Sequence, residues 1–186
     1  EEWIESRLKE LLPCKYYHVV FTLPHELNPL VMGNRKQLFD LLFDAASYTL
    51  LRFAGDEKYM GAKPGIIAVL HTWGQTLSFH PHLHCIVSGG GATVDDQWIA
   101  AKKAKYGVLF PIQAMEKVYK AYFLKQLRKL RENQKLKLTH DQELHWKSLL
   151  NNLFAKKWIV HAKQPFGGPL QVMEYLGRYT HKVAIS

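Results

Sequence analysis

Phe79-His80-Pro81-His82-Leu83-His84-Cys85-Ile86-Val87 decides how the rest of the chain is read. Its histidines alternate with other residues and give way to an apolar, β-prone run, the pattern of a strand whose two faces do different work. Residues two apart on a strand share a face at roughly 7 Å, so His82 and His84 can turn toward one ion while Leu83 enters the core. Neutral imidazole is the commonest metal-binding side chain, and a rigid strand leaves it little freedom to lose on binding. The third ligand is open among three residues. His80 continues the alternation but lies about 13 Å from His84 on a regular strand, out of reach of metal–nitrogen bonds of roughly 2 Å unless the strand bends at Pro81. The β-prone run from Ile66 to Gln75 returns beside this strand as a hairpin, and register decides whether Gln75 or His71 faces the ligands. Gln75 is preferred, because its amide oxygen suits a hard cation and it lies near the turn beside His82.

The 186 residues fit one α/β-type domain with a sizeable core. The net charge is +9 with ten histidines besides, which favours a polyanionic partner, nucleic acid first. Cys14 and Cys85 form neither a disulfide framework nor a Cys-x-x-Cys ligand pair, so a reducing, cytoplasmic setting is expected. No run of about eighteen apolar residues is present, so no membrane partner is expected. The chain starts at Glu1 without Met and stops at Ser186 within an apolar run, and it reads as a piece of a longer protein.

Along the chain, apolar spacing predicts a helix over residues 3–12, ended by Pro13, and a central strand over 15–23, closed by Pro24. His18 in that strand reads as structural. A helix is expected from an Asn34 cap to about residue 53. Gly89-Gly90-Gly91 reads as a turn into a short strand, Gln97-Trp98-Ile99. Lys102, Lys103 and Lys105 follow. Residues 111–134 read as a long helix with Met115, Val118, Tyr122, Leu127 and Leu130 inward and a basic outer face, either solvated or a contact surface for phosphates. A helix over 141–154, a strand over 157–163 and a helix opened by Gly167-Gly168-Pro169 complete the order. Strands grouped in this way predict an α+β fold, an antiparallel sheet covered by helices.

The closing helix contains Tyr175 and Tyr179, one turn apart and so on one face, about 6 Å apart along the axis. Such pairs are ordinarily packing. Arg178 and Lys182, also one turn apart, are placed to hold phosphates beside them. Joined to His82-Leu83-His84 the phenols acquire a chemical use. A phenol, with a pKa near about 10, is a weak nucleophile unaided, and a metal that polarises a phosphodiester would let it attack. The product, a 5′-phosphotyrosine, conserves the bond energy for rejoining strands.

His-hydrophobic-His followed at a distance by Tyr-x-x-x-Tyr resembles the HUH endonuclease superfamily. His18-Val19-Val20-Phe21-Thr22-Leu23-Pro24, His71-Thr72-Trp73-Gly74, the histidine strand with its glycines, and Tyr175-Leu176-Gly177-Arg178-Tyr179-Thr180-His181 together resemble the two-tyrosine rolling-circle transposases of bacterial insertion sequences, family ninety-one type. The resemblance implies a ferredoxin-like or palm-type antiparallel sheet, a Mg²⁺ or Mn²⁺ ion, and nicking and joining of single-stranded DNA at transposon ends. It implies His82 and His84 as ligands and Tyr175 and Tyr179 as nucleophiles. Gln75 as third ligand is a looser transfer, and Arg178, Lys182, Lys102 and Lys103 are expected DNA contacts. Such transposases also carry an upstream cysteine-rich, zinc-binding region that this sequence lacks. Two rivals explain less. A non-catalytic single-strand-binding module accounts for charge and aromatics but not for the His and Tyr spacings. A zinc hydrolase on His80, His82 and His84 has no use for the tyrosines. The oligomeric state is left open.

Overall fold

Tyr16-Tyr17-His18-Val19-Val20-Phe21-Thr22 is almost entirely aromatic and β-branched, and it forms an interior strand. The computed structural model describes residues 12, 14–74, 78–102, 107–163, 170, 171 and 174. Among these, five strands make one sheet: β1 (Tyr16–Thr22), β2 (Lys63–Trp73), β3 (Phe79–Ala92), β4 (Trp98–Ala100) and β5 (Val160–Lys163). The order is β2-β3-β1-β5, with β4 also on β3, and every pairing is antiparallel. This is the expected α+β architecture.

Period-two alternation divides the sheet cleanly. Tyr17, Val19 and Phe21 of β1, Leu83, Cys85 and Val87 of β3 and Val160 of β5 join one hydrophobic cluster with the helices. These helices are α1 (Asn28–Gly33), α2 (Arg35–Gly55), α3 (Ile112–Glu132), α4 (His140–Leu144) and α5 (Trp146–Ala155), with a 3-10 turn at His25–Leu27. The register sets the opposite face: Thr22, His82 and His71 lie in one row, and Val20, His84 and Val69 in the next. One face of the sheet therefore carries the core and the other carries the histidines.

Several local expectations change. Asn34 does precede α2, but its side chain does not cap it; buried, it donates to the carbonyls of Leu30 and Lys137 and accepts from the Lys137 amide, tying α2 to the segment after α3. Gly89-Gly90-Gly91 is not a turn but the end of β3, and the turn follows at residues 93–97. A Cβ at Gly91 would lie 2.5 Å from the Lys63 carbonyl oxygen and one at Gly89 2.9 Å from that of Lys15, so glycine here answers close neighbouring strands. The helix expected over 141–154 is two helices that meet at His145, and Thr139 and Gln142 cap the first reciprocally. Strand β5 starts three residues later than expected, at Val160. In α3 the buried stripe is Met115, Tyr119, Phe123, Leu124 and Leu127, with Val118, Tyr122 and Leu130 flanking it. Its basic outer face lies on the side of the sheet away from the histidines. Part of that charge is engaged: Lys120 donates to the carbonyls of Phe154 and Lys156, and Arg131 pairs with Glu143 at 2.7 Å. The helix expected over residues 3–12 lies outside the described residues apart from Leu12.

Candidate metal centre

The hairpin of β2 and β3 builds the site. His71 sits directly opposite His82, and their rings, with that of His84, converge: ring centres are 5.3 Å apart for His71 and His82, 4.3 Å for His71 and His84 and 4.9 Å for His82 and His84. One nitrogen from each lies within 4.8 Å of the others. Bonds of about 2 Å to a shared ion would close that span with small ring rotations. A bulge shapes the near end. Between the pairs His71–His82 and Trp73–Phe79, two residues of β3, His80 and Pro81, face one of β2, Thr72. The strand thus departs from regularity at Pro81, as the sequence allowed, but His80 does not join the ligand group.

Hydrogen bonds bear on which ring nitrogens would be free to bind an ion. His82 Nδ1 donates to the His80 carbonyl oxygen at 2.6 Å, which leaves Nε2 as the nitrogen with a free lone pair. His84 Nδ1 lies 2.8 Å from His18 Nε2, and with the proton on His84 Nδ1 the free lone pair is again on Nε2. His18 stands diagonally across from His84 on the neighbouring strand, fully buried, its ring stacked 5.0 Å away. Trp73 stacks on His71 at 5.6 Å and restricts its rotation. Burial, then the charge of His82, lowers the His71 pKa to about 4. Burial likewise lowers that of His82, opposed by the bond to the His80 carbonyl. These imidazoles stay neutral near pH 7, the state that binds a metal. The donor set therefore fits a divalent cation.

His18, read from sequence as structural, is the residue whose part in the site was missed. Its place in β1 was legible, but only the register of β1 against β3 shows that it meets His84 and not a core residue. His18→Leu should weaken metal binding by about 10- to 100-fold, as loss of an orienting partner does, with His18→Asn restoring part of the loss through its amide oxygen. Calorimetric titration with Mn²⁺ measures this, and unchanged affinity in His18→Leu would contradict the assignment.

Of the other expected site residues, Lys102 is exposed, with its ammonium on the Glu57 carbonyl at 2.9 Å and its amide on that of Tyr59. Gln75, Lys103, Tyr175, Arg178, Tyr179 and Lys182 lie outside the described residues. Leu170, Gln171 and Glu174 are helical, in line with a closing helix. Among the described residues no helix is long and apolar enough to cross a membrane.

An antiparallel sheet with helices on one face and a cluster of three histidines on the other defines an α+β domain with a candidate metal site. The family model Y2_Tnp, described as "Putative transposase", matches residues 65–186, and the chain belongs to this transposase family. It is 43% identical to "Putative transposase y4qJ" of Sinorhizobium fredii, over the whole chain and 47% of that protein. It is 32% identical to the "Transposase for insertion sequence element IS801" of Pseudomonas savastanoi pv. phaseolicola, over the whole chain and 44% of that protein. The chain thus spans about half the length of these curated relatives. Among solved structures, the conjugative relaxase TrwC in complex with oriT DNA is similar at 19% identity and a TM-score of 0.47, over 62% of this chain and 43% of that one.

Proposed function

We propose that this chain nicks and joins single-stranded DNA at transposon ends through a covalent 5′-phosphotyrosine, with His71, His82 and His84 holding a divalent cation, Mg²⁺ or Mn²⁺. The observation that carries the reading is the convergence of three imidazoles, one of them, His82, with its tautomer set by a backbone carbonyl, on the face of the sheet away from the core of a transposase-family chain. When bound, such an ion withdraws charge from phosphoryl oxygens and stabilises a leaving alkoxide. The chain's own groups do the rest. The phenol oxygen of Tyr175 or Tyr179 attacks the scissile phosphorus, an O–P bond forms, and the bond to the 3′ oxygen breaks, so that one strand leaves with a 3′-hydroxyl. The 5′ phosphate stays on tyrosine until a 3′-hydroxyl reverses the step, and no external energy source is needed. The second tyrosine takes another strand end in the same way. Arg178, Lys182, Lys102 and Lys103 supply cations for the DNA backbone. Gln75 is an additional oxygen ligand to the same ion.

The test incubates the chain with labelled single-stranded DNA from an element terminus, with Mn²⁺, Mg²⁺ or chelator, and resolves it on a denaturing gel. A metal-dependent protein–DNA adduct is expected, at lower Mn²⁺ than Mg²⁺ because imidazole nitrogen is a poorer ligand for Mg²⁺. Cleavage that leaves a free 5′ end and no adduct would instead mean hydrolysis by water. Binding without cleavage would mean a binding module.

A further inference from the structure

The histidine face has a second, open end. From His84, β3 continues through Ile86 and Ser88, both buried, to Gly90 and Ala92. There the face opens to solvent: Lys63 of β2, Ala92 of β3, and Trp98 and Ala100 of β4 are all exposed. Ala92 pairs with Lys63 on one side and Trp98 on the other, so an ammonium and an indole flank a methyl across two strand spacings, about 10 Å. Residues paired in this way share a face.

A missing side chain makes room for the indole. A Cβ at Gly90 would lie 2.7 Å from Trp98 Cζ2 and 2.9 Å from Cε2, closer than real contacts come. The ring therefore rests against bare backbone, with 45% of the residue exposed. The next residue, Ile99, points the other way and packs on the core, which anchors the short strand. Trp98 is thus held in place without being buried.

We infer that Trp98 is a stacking platform for one unpaired base of the DNA strand, with Lys63 on a neighbouring phosphate. The inference rests on the reading that the chain acts on single-stranded DNA. Every base has an aromatic face, and a fixed indole beside a cation on a chain of net charge +9 suits a base and its phosphate. One indole and two alanine methyls make a patch far smaller than the roughly 800 Å² per partner of a specific protein interface. Strand β3 is irregular at residues 88–90, but along β2 six positions separate Val69, opposite His84, from Lys63, opposite Ala92, about 20 Å. Six nucleotides span that at a stacked rise of about 3.4 Å each, and about half as many when the strand is extended. The stacked base therefore lies about three to six nucleotides from the scissile phosphate.

Fluorescence anisotropy of this chain with single-stranded terminus DNA, for wild type, Trp98→Ala and Trp98→Phe, tests the platform, together with a single abasic site walked through that window. Trp98→Ala should weaken binding about 5- to 150-fold, the equivalent of ~1–3 kcal/mol for one stacked base, and Trp98→Phe by less. An abasic site at one position should weaken wild type similarly and add nothing to Trp98→Ala. Independently of any variant, 5-iodouridine at that position should photocrosslink wild type at Trp98. Wild-type affinity in Trp98→Ala, or crosslinks mapping only elsewhere, would overturn the platform and leave the single-strand reading intact. A wild-type chain that binds no single-stranded DNA would overturn both.

Discussion

His84→Ala is expected to lower strand cleavage by on the order of a thousandfold, because the variant loses a proposed ligand that also ties the cluster to His18. Its ring is nearest to His71, adjoins His82 and is bonded to His18. Charge stabilisation by a bound metal is worth several kcal/mol, and each ~1.4 kcal/mol is about tenfold in rate. Removing the imidazole also strips buried His18 of its bond to His84, and an unmade buried hydrogen bond costs about 1–3 kcal/mol, so thermal stability should fall as well. The two effects separate experimentally. Single-turnover cleavage at saturating Mn²⁺ reads the chemical loss below the melting temperature, and anisotropy without metal reads DNA affinity, which should change little. Cleavage within about threefold of wild type would show that His84 holds no catalytic ion.

Replacing both Tyr175 and Tyr179 by Phe should remove the covalent adduct altogether, with residual cleavage below about a thousandth of wild type. Phenylalanine keeps the ring and loses only the attacking oxygen. Affinity for single-stranded DNA should therefore stay within about threefold, since hydroxyl loss leaves stacking and phosphate contacts in place. Each single variant tests the division of labour. If the two tyrosines take two strand ends in turn, one Phe leaves an adduct on the other tyrosine but blocks joining. If either single variant joins strands as well as wild type, the second tyrosine has no separate part.

Much of the fold was legible because alternation and punctuation are local signals. Pro24 closes β1, and the run from Ile66 and the histidine strand form the expected hairpin. The places that failed depend on neighbours the sequence does not display. The glycines at 89–91 look like a turn until the backbone of Lys15, Lys63 and Ile99 is seen to crowd them. The third imidazole is the same kind of case. Sequence preferred Gln75 and kept His71 and His80 as alternatives, and pairing register brings His71 opposite His82. The bulge at His80 and Pro81 was allowed by proline chemistry, but its use, directing the His80 carbonyl to His82 Nδ1, is a matter of three-dimensional geometry. His18 was read as structural from its place in a central strand. It is buried, and it is also the hydrogen-bond partner of a proposed ligand.

The central claim is that DNA is cut by attack of a tyrosine of this chain. The most direct measurement digests the Mn²⁺-dependent adduct with protease and nuclease and sequences the nucleotide-bearing peptide by mass spectrometry. The account predicts a 5′-phosphonucleotide on the peptide that contains Tyr175 and Tyr179, attached through one of those two oxygens. A nucleotide on any other residue, or cleaved DNA with a free 5′ phosphate and no modified peptide, would contradict it.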